Sequence, residues 1–334
     1  MSGPLTGSPL DSSYHVEALL GRGSMGNVYL AREIKSGLEV AIKVARHATG
    51  EARERFRREV EVSAKVAHPN VVEILDYGEA RLHGEDGVPY LVMERLRGET
   101  LGEHFQRPEL YHDAEAHVRY TLGIVRQAAL GLAAAHAEGI VHRDVKPDNL
   151  FLCGNHSNPT VKLFDFGLAK LADEPPLSRG MVAGTIEYMA PEQVLTEAAD
   201  ARADVYALGV VMFRLLTKEL PFAEALKTEL LAHQLLSPAP PPSWLLEAIP
   251  PSIERIVLSA LRKHPDNRYP SMTALIADID RALDGRDNEV RGVELRHRPD
   301  GYTPLTPLGE RALERLRDIQ SRPSHPPPSR PDAN

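Results

Sequence analysis

A short polar loop at residues 142–149 holds the side chains of this sequence that are best suited to chemistry. It reads HRDVKPDN, and a second carboxylate, Asp165, follows 21 residues after Asp144. In such a set a carboxylate can orient a hydroxyl and a lysine can hold charge on a moving phosphoryl group. An asparagine and a second carboxylate can bind magnesium. The order and spacing of these groups therefore predict phosphoryl transfer.

A glycine-rich segment lies closer to the N-terminus, at residues 21–28, and reads GRGSMGNV. Glycine lets backbone N–H groups come close to phosphate oxygens. A dinucleotide-binding fold would place such a segment between a strand and a helix. Here the following residues, VYLA at 28–31, favour a second strand. The pattern therefore indicates a hairpin that covers phosphates.

Lys43 ends the run VAIK, 17 residues after Gly26. A lysine flanked by apolar strand residues is ordinarily solvated, but the glycine-rich segment upstream favours an inward lysine that bridges nucleotide phosphates. Such a lysine needs a carboxylate to hold it in place. Glu59 is the preferred partner, and Glu54 and Glu61 are the alternatives.

The composition limits the class of protein. The chain has 334 residues and a formal net charge of -8, and its Lys and Arg do not form a basic stripe, which argues against nucleic-acid binding. The single cysteine, Cys153, ends an apolar run, so we expect a buried strand residue in a reducing compartment. Neither a membrane-spanning apolar run nor a signal-peptide core is apparent, so we expect a cytoplasmic protein.

Along the chain the predicted secondary structure changes from strands to helices. Residues 1–13 are predicted to be a flexible lead-in, and residues 14–97 a strand-rich lobe with one amphipathic helix at 51–67. Residues 98–283 are predicted to be a helical lobe, with helices at 118–138, 203–217, 253–262 and 272–283. The tail at 284–334 is rich in Arg and Pro and is predicted to be largely disordered. Within it, Leu308, Leu313, Leu316 and Ile319 lie near helical spacing, which would allow docking on the domain or on a partner.

Taken together, the motifs resemble those of the eukaryotic-type (Hanks-type) serine/threonine protein kinases, and of bacterial members in particular. The resemblance covers about residues 14–283 and rests on GRGSMGNV at 21–28, VAIK at 40–43, HRDVKPDN at 142–149, DFG at 165–167 and APE at 190–192. It implies an α+β, bilobal fold, with a small antiparallel sheet and one helix in the N-lobe and a larger, mainly helical C-lobe.

The resemblance also implies roles for the matching positions. Asp144 is the catalytic base, and Lys146 steadies the γ-phosphoryl group of ATP. Asn149 and Asp165 hold Mg²⁺, with Mn²⁺ as an alternative. Lys43, paired with Glu59, positions the α- and β-phosphates. The other implied ATP-binding residues are Gly21, Gly23 and Gly26 over the phosphates and Leu20, Val28, Ala41, Met93, Glu94, Leu96 and Phe151 around the adenine.

Three further residues are implied to be structural anchors of the large lobe. Arg268 is expected to pair with Glu192 and so brace the segment on which a protein substrate docks. Asp204, in the run DVYALG, is the third.

The loop between Asp165 and Glu192 is where regulation is expected. Arg143 matches an arginine that meets a phosphate on this loop in the family. Ser178 and Thr185 are the two serine/threonine acceptors between those residues. Ser178 is the preferred phosphosite, because Thr185 matches a threonine that contacts the catalytic loop.

Substrate class is suggested by the residues around Lys146. Lys146 followed by Pro147 resembles serine/threonine kinases rather than tyrosine kinases. The neighbouring acid, Asp148, suggests a preference for a basic residue upstream of the acceptor. The expected partners are therefore proteins with Ser or Thr acceptors, together with a second copy of the chain during autophosphorylation.

Two other functions compete with an active protein kinase in signalling. A pseudokinase scaffold would have lost Lys43, Asp144, Asn149 or Asp165, and all four are present. A small-molecule kinase of the same fold would generally lack the APE segment, which this chain has at 190–192.

Overall fold

The computed structural model describes residues 5, 7, 9–23, 26–45, 50, 56–57, 60–61, 63–82, 85–106, 113–166, 186–195, 199–223 and 226–286. These residues form a strand-rich N-terminal lobe followed by a larger, mainly helical lobe. The predicted α+β, bilobal fold is confirmed. Predictions that concern residues 287–334, including disorder of the tail, lie outside the described residues.

The N-lobe is built on a six-stranded antiparallel sheet with the strand order β1-β2-β3-β4-β6-β5. The described residues between 50 and 63 are helical, with Phe56 and Val60 buried, as an amphipathic helix there predicts. The six strands are β1 (Pro9–Leu10), β2 (Tyr14–Arg22), β3 (Gly26–Glu33), β4 (Glu39–Ala45), β5 (Ile74–Leu82) and β6 (Glu85–Glu94).

The register of this sheet separates a core face from a second face. Side chains directly opposite each other in paired strands share a face, as do residues two apart in one strand. Val28 pairs with Lys43, and Ala41 pairs with Met93, so these four lie on one face. The alternating residues form the lobe's buried core, among them Tyr29, Ala31, Val40, Ile42, Val44 and Val92.

A three-stranded sheet, with the order β7-β8-β9, begins the second lobe. Its strands are β7 (Gly98–Thr100), β8 (Leu150–Cys153) and β9 (Thr160–Leu163). Cys153 ends β8 and is half-buried. Burial raises the pKa of its thiol, and the nearby carboxylate of Glu94 adds to the rise. The thiol is therefore mostly protonated at neutral pH, as a structural cysteine would be.

Helices make up the rest of the second lobe, and they pack around one large apolar core. The long helix begins at the N-cap Asp113, whose carboxylate accepts from the N–H groups of Glu115 and Ala116, and it is followed by Gly139 at a φ of +72°. The helices are α1 (Leu101–His104), α2 (Ala114–Ala137), α3 (Pro191–Val194), α4 (Ala201–Thr217), α5 (Lys227–Leu236), α6 (Pro251–Ala260) and α7 (Met272–Leu283).

The four helices predicted for this lobe correspond to α2, α4, α6 and α7. The last has the predicted bounds, and the other three begin two to four residues earlier than predicted. Among the described residues, no helix combines the length and the apolar character that crossing a membrane requires.

Candidate active site

The loop at residues 142–149 holds Asp144 between two other polar side chains. Lys146 Nζ lies 2.9 Å from Asp144 Oδ2. The amide nitrogen of Asn149 donates to the backbone oxygen of Asp144 at 2.8 Å and to Oδ2 at 3.2 Å. Asn149 is buried, so its side chain fixes the loop as well as the carboxylate. The base, the lysine and the asparagine predicted from the motif are therefore in mutual contact.

An ion pair between Lys43 and Asp165 joins the two lobes. Lys43 Nζ lies 2.7 Å from Asp165 Oδ1, and the two residues are 122 positions apart in the chain. The lysine is buried, whereas 42% of the Asp165 side chain is exposed. Asp165 adopts a φ of +55°, an uncommon backbone conformation for a residue with a side chain. Its carboxylate thus reaches the lysine of β4 and remains open to solvent at the cleft.

His142 ties the two catalytic segments together. Its Nδ1 accepts from the N–H of Asp144 at 3.3 Å, and its Nε2 lies 3.2 Å from the backbone oxygen of Phe164. Its ring packs on the ring of Phe166, with 4.7 Å between centroids. Complete burial lowers the pKa of His142, against the opposing effect of Asp204. A neutral ring, which accepts at one nitrogen and donates at the other, fits both contacts.

Asp204, on α4, anchors the same loop. The residue is fully buried at the start of α4. Its carboxylate accepts from the backbone N–H groups of His142 and Arg143, both at 2.8 Å, and lies 2.8 Å from His136 Nε2. Arg143 has a φ of +61°, so Asp204 holds the loop in a left-handed conformation just before Asp144. The geometry agrees with the structural role implied for Asp204.

The glycine-rich segment is the hairpin between β2 and β3, so it lies between two strands. The N–H of Gly23 donates to the oxygen of Gly26 at 2.8 Å. A Cβ at Gly26 would lie 2.2 Å from the oxygen of Val44, so only glycine fits there. Gly21 has open space around the position of a Cβ. The strand-turn-strand context agrees with a phosphate-covering hairpin and differs from a dinucleotide fold.

The predicted adenine-pocket residues come from both lobes. Val28, Ala41 and Met93 lie on the face of the six-stranded sheet that also carries Lys43. Leu20, on β2, is 47% exposed. Phe151 lies on β8. Leu96 lies in the segment between β6 and β7, which connects the lobes.

Glu94, at the end of β6, is held by groups that sequence reasoning did not identify. Its Oε1 accepts from Lys162 Nζ at 2.5 Å and from the N–H of Glu73 at 2.9 Å. Lys162 lies opposite Phe151 in the β8–β9 register. The segment between the lobes is therefore fixed to the strands of the large lobe.

A buried ion pair braces the segment before α4. Arg268 donates to both carboxylate oxygens of Glu192, at 2.6 and 2.7 Å. The guanidinium also donates to the backbone oxygens of Arg202, Arg262 and Lys263. Because every contact is buried or partly buried, the pair fixes the APE segment to the large lobe, as the resemblance implied.

Some predicted residues lie outside the described residues. They are Glu59, the preferred partner of Lys43, its alternative Glu54, and the phosphosite candidates Ser178 and Thr185. Glu61, one of the alternatives to Glu59, instead lies 3.0 Å from Arg57 in an exposed ion pair.

Sequence reasoning missed a cluster around Glu99. This buried glutamate lies 3.0 Å from His104 Nδ1 and 3.5 Å from His156 Nδ1. Glu99 and His156 thus bring together β7 and the loop between β8 and β9. The two residues are far apart in the chain, and no periodic pattern signals their contact. Across the described ranges, no group of three or more His, Cys, Asp or Glu side chains fits a metal ion.

Asn149 and Asp165 fit a magnesium ion by their donor chemistry. Asn149 uses its amide nitrogen on Asp144, which leaves the amide oxygen as an acceptor. The N–H of Phe164 donates to the backbone oxygen of Asn149 at 3.2 Å, so the segments that carry Asn149 and Asp165 adjoin. An amide oxygen and a carboxylate are hard donors, which Mg²⁺ and Mn²⁺ prefer.

Comparison with known proteins identifies the family. A family model described as a protein kinase domain matches residues 14–278. Serine/threonine-protein kinase Pkn1 of Myxococcus xanthus is 42% identical over 300 residues, which cover 88% of this chain and 41% of that protein. Serine/threonine-protein kinase PknA of Mycobacterium tuberculosis is 37% identical over 274 residues, which cover 80% of this chain and 61% of that protein. The chain thus spans about half the length of the curated relatives it matches.

A solved structure of a protein kinase domain also matches this chain. The crystal structure of the PknI kinase domain of Mycobacterium tuberculosis matches with a TM-score of 0.62 and 28% identity. The match covers 84% of this chain and 98% of that one. The motifs, the cleft and the relatives agree: this chain belongs to the protein kinase family and is similar to the bacterial serine/threonine protein kinases.

Proposed function

We propose that this chain is an active serine/threonine protein kinase, which transfers the γ-phosphoryl group of Mg-ATP to serine and threonine hydroxyls of proteins, its own included. One observation supports the proposal most strongly. Lys43 of the N-lobe contacts Asp165 of the large lobe. This ion pair lies beside the loop in which Asp144 contacts Lys146 and Asn149. Groups distant in sequence thus share one cleft.

In the proposed reaction the substrate hydroxyl oxygen attacks the γ-phosphorus. The bond from that phosphorus to the β–γ bridging oxygen breaks, ADP leaves, and the hydroxyl proton passes to Asp144. Lys146 Nζ, 2.9 Å from that carboxylate, is close enough to offset negative charge on the moving phosphoryl group. Much of the catalysis is therefore positioning and electrostatic stabilisation.

Asn149 and Asp165 would hold the magnesium ion, and Lys43 would contact the α- and β-phosphates. When bound, the ion would supply positive charge that offsets the negative charge of the nucleotide phosphates. The 42% exposure of the Asp165 side chain supports access of a nucleotide to this carboxylate. The hairpin of Gly21, Gly23 and Gly26 would cover the phosphates.

The adenine would lie between the lobes. Leu20, Val28 and Ala41 would form its roof and Phe151 its floor, while Met93 would lie at the entrance to the back pocket. The backbone groups of Glu94 and Leu96 would bond the adenine edge. Lys162 and the N–H of Glu73 both hold the Glu94 carboxylate, which supports a rigid backbone at the position that would bond the adenine.

Regulation would act through the segment between Asp165 and Glu192. Autophosphorylation at Ser178, or at Thr185, would add a dianion that Arg143 can meet. Mapping of phosphopeptides from active protein tests this step. Phosphate on neither residue would rule it out.

Substrate choice would favour a basic residue upstream of the acceptor. Asp148 is exposed next to Asn149 in the catalytic loop, so its carboxylate can pair with a lysine or arginine of a bound peptide. A peptide array compares the wild type with Asp148→Asn. The variant should lose a preference for upstream arginine, and an array indifferent to that arginine in the wild type would contradict the assignment.

Signalling in the cytoplasm is the proposed setting. ATP and magnesium are abundant there, and one half-buried cysteine is compatible with a reducing compartment.

The deciding experiment measures phosphate incorporation with ATP and magnesium. Asp144→Asn keeps the shape of the side chain and removes the proton acceptor, so we expect at least about a hundredfold loss of rate. Asp266→Asn, at an exposed carboxylate that pairs with Arg202 and contacts none of the proposed catalytic or ATP-binding side chains, is the matched control and should retain full activity. Equal incorporation by wild type and Asp144→Asn would refute the mechanism. A wild type that binds nucleotide without transferring phosphate would instead indicate the pseudokinase.

A further inference from the structure

The large lobe has a mainly apolar groove on the side formed by α2, α6 and α7. The start of α2, the start of α6 and the end of α7 surround a cavity of about 560 Å³. Its apolar lining includes Val118, Leu122 and Ile253, and the exposed charged residues Glu115 and Arg119 stand beside them. Such a groove resembles surfaces that take the apolar face of a helix.

The chain leaves the described domain at this groove. After α7 ends at Leu283, Gly285 adopts a φ of +69°. Its N–H donates to the oxygen of Ala282, and the N–H of Arg286 donates to the oxygen of Arg281 at 2.8 Å. This is the turn by which glycine reverses a chain after a helix. Gly285 and Arg286 themselves line the groove, so the following residues begin at its edge.

The tail contains a segment with the matching chemistry at residues 308–320. At 100° per residue, its apolar side chains fall within an arc of roughly 140°, and all of its charged side chains fall outside that arc. The apolar residues are Leu308, Ala312, Leu313, Leu316 and Ile319, and the charged ones are Glu310, Arg311, Glu314, Arg315, Arg317 and Asp318. A sequence this amphipathic forms a stable helix mainly when its apolar face is covered.

The connection is long enough for this segment to fold back. Arg286 and Leu308 are 22 residues apart, and a flexible chain of that length spans roughly 25 Å. The helix itself would be roughly 20 Å long. Tethering raises the effective concentration of the segment at the groove to the millimolar range, which favours docking within one molecule.

We propose that residues 308–320 bind the groove of their own molecule as an amphipathic helix. Leu316 lies near the centre of the apolar arc and faces the groove floor together with Ile319, which lies closer to one edge of the arc. Glu115 and Arg119 flank charged side chains of the helix. The proposal does not depend on phosphoryl transfer.

Hydrogen exchange of the full chain tests it. Amides of 308–320 should exchange at least about tenfold more slowly in the wild type than in Leu316→Asp/Ile319→Asp, because the double variant cannot bury its apolar face. Ala248→Arg changes an exposed residue of the groove instead of the segment, and it should also remove the protection of these amides. Arg317→Asp is the matched control, since it adds the same side chain to the polar face and should retain protection.

Three results would overturn the proposal. Unprotected amides at 308–320 in the wild type would show that the segment does not dock, and protection that survives Ala248→Arg would place it elsewhere. Protection that increases with protein concentration would make a second copy the occupant. Thermal melting of each variant checks that the domain is folded, and Ser252→Arg, in the same groove, replaces Ala248→Arg if that variant does not fold.

Discussion

At the scale of single residues, Asp204 shows how far a catalytic loop depends on a group that never meets the substrate. One buried carboxylate accepts from two consecutive backbone N–H groups and faces His136. We expect Asp204→Asn to turn one acceptor into a donor that faces donors, at a cost of about 1–3 kcal/mol in stability. Because the loop before Asp144 loosens, kcat should fall while the KM for ATP changes little. Urea unfolding and steady-state kinetics measure the two effects.

Asp200→Asn is the matched control for that prediction. Asp200 caps the same helix, where its side chain accepts from the N–H of Arg202 outside the catalytic loop. Asparagine is also a good cap, so stability should change by a few tenths of a kcal/mol and kcat should stay unchanged. An equal drop of kcat in both variants would show that Asp204 acts only through the stability of α4.

At the scale of elements, Lys263 joins three helices of the large lobe. It follows α6, donates to the oxygen of His233 on α5 at 3.0 Å, and lies over the ring of Tyr206 on α4. The ring of Phe222 is also close, with 4.2 Å from Nζ to its centroid. Burial, followed by the nearby charge of Arg268, lowers the pKa of Lys263 to about 7. The packing of these helices should therefore depend on pH.

The sign follows from the two states of the lysine. In the unfolded chain it stays protonated up to its ordinary pKa of 10.5. Above about pH 7 the unfolded state therefore binds more protons than the folded state. Stability should rise with pH in this window by at most about 1.4 kcal/mol per unit. Lys263→Met should flatten that rise, and urea unfolding at pH 7, 8 and 9 measures it. The exposed Lys35→Met is the control, and curves of equal slope in all three proteins would contradict the prediction.

The same elements show what a sequence can predict. The bounds of α7 follow from apolar spacing, and the glycine after α2 marks that helix's end. The start of α2 is predicted too late, at 118. The first turn, which Asp113 caps, has little apolar character and so gives no periodic signal. The burial of Lys263 and the pairing of Glu99 with His156 could not be predicted. Both depend on contacts between segments distant in the chain, which leave no local period.

At the scale of the whole molecule, the cleft depends on two lobes whose link at Lys43 and Asp165 is electrostatic. The catalytic motifs predict which residues meet, since each is recognisable by its order and spacing. The 2.7 Å contact adds the geometry, in which a buried cation of the upper sheet reaches a half-exposed carboxylate of the lower lobe. A metal-bound nucleotide should therefore stabilise both lobes together, because it binds groups from each.

Nucleotide binding makes this coupling measurable as a shift in unfolding. A nucleotide at about 100 times its Kd adds about 2.7 kcal/mol to the free energy of unfolding. With ADP, the wild type should show a larger rise of Tm in magnesium than in EDTA. Asp165→Asn should lose most of that difference, because the amide is a weaker ligand for magnesium than the carboxylate it replaces. Asp280→Asn, which removes a partly buried partner of Arg126, is the matched control and should retain it. If Asp165→Asn kept the full magnesium effect, the ion would have to be held by other groups, and the assignment of Asp165 as its ligand would fail.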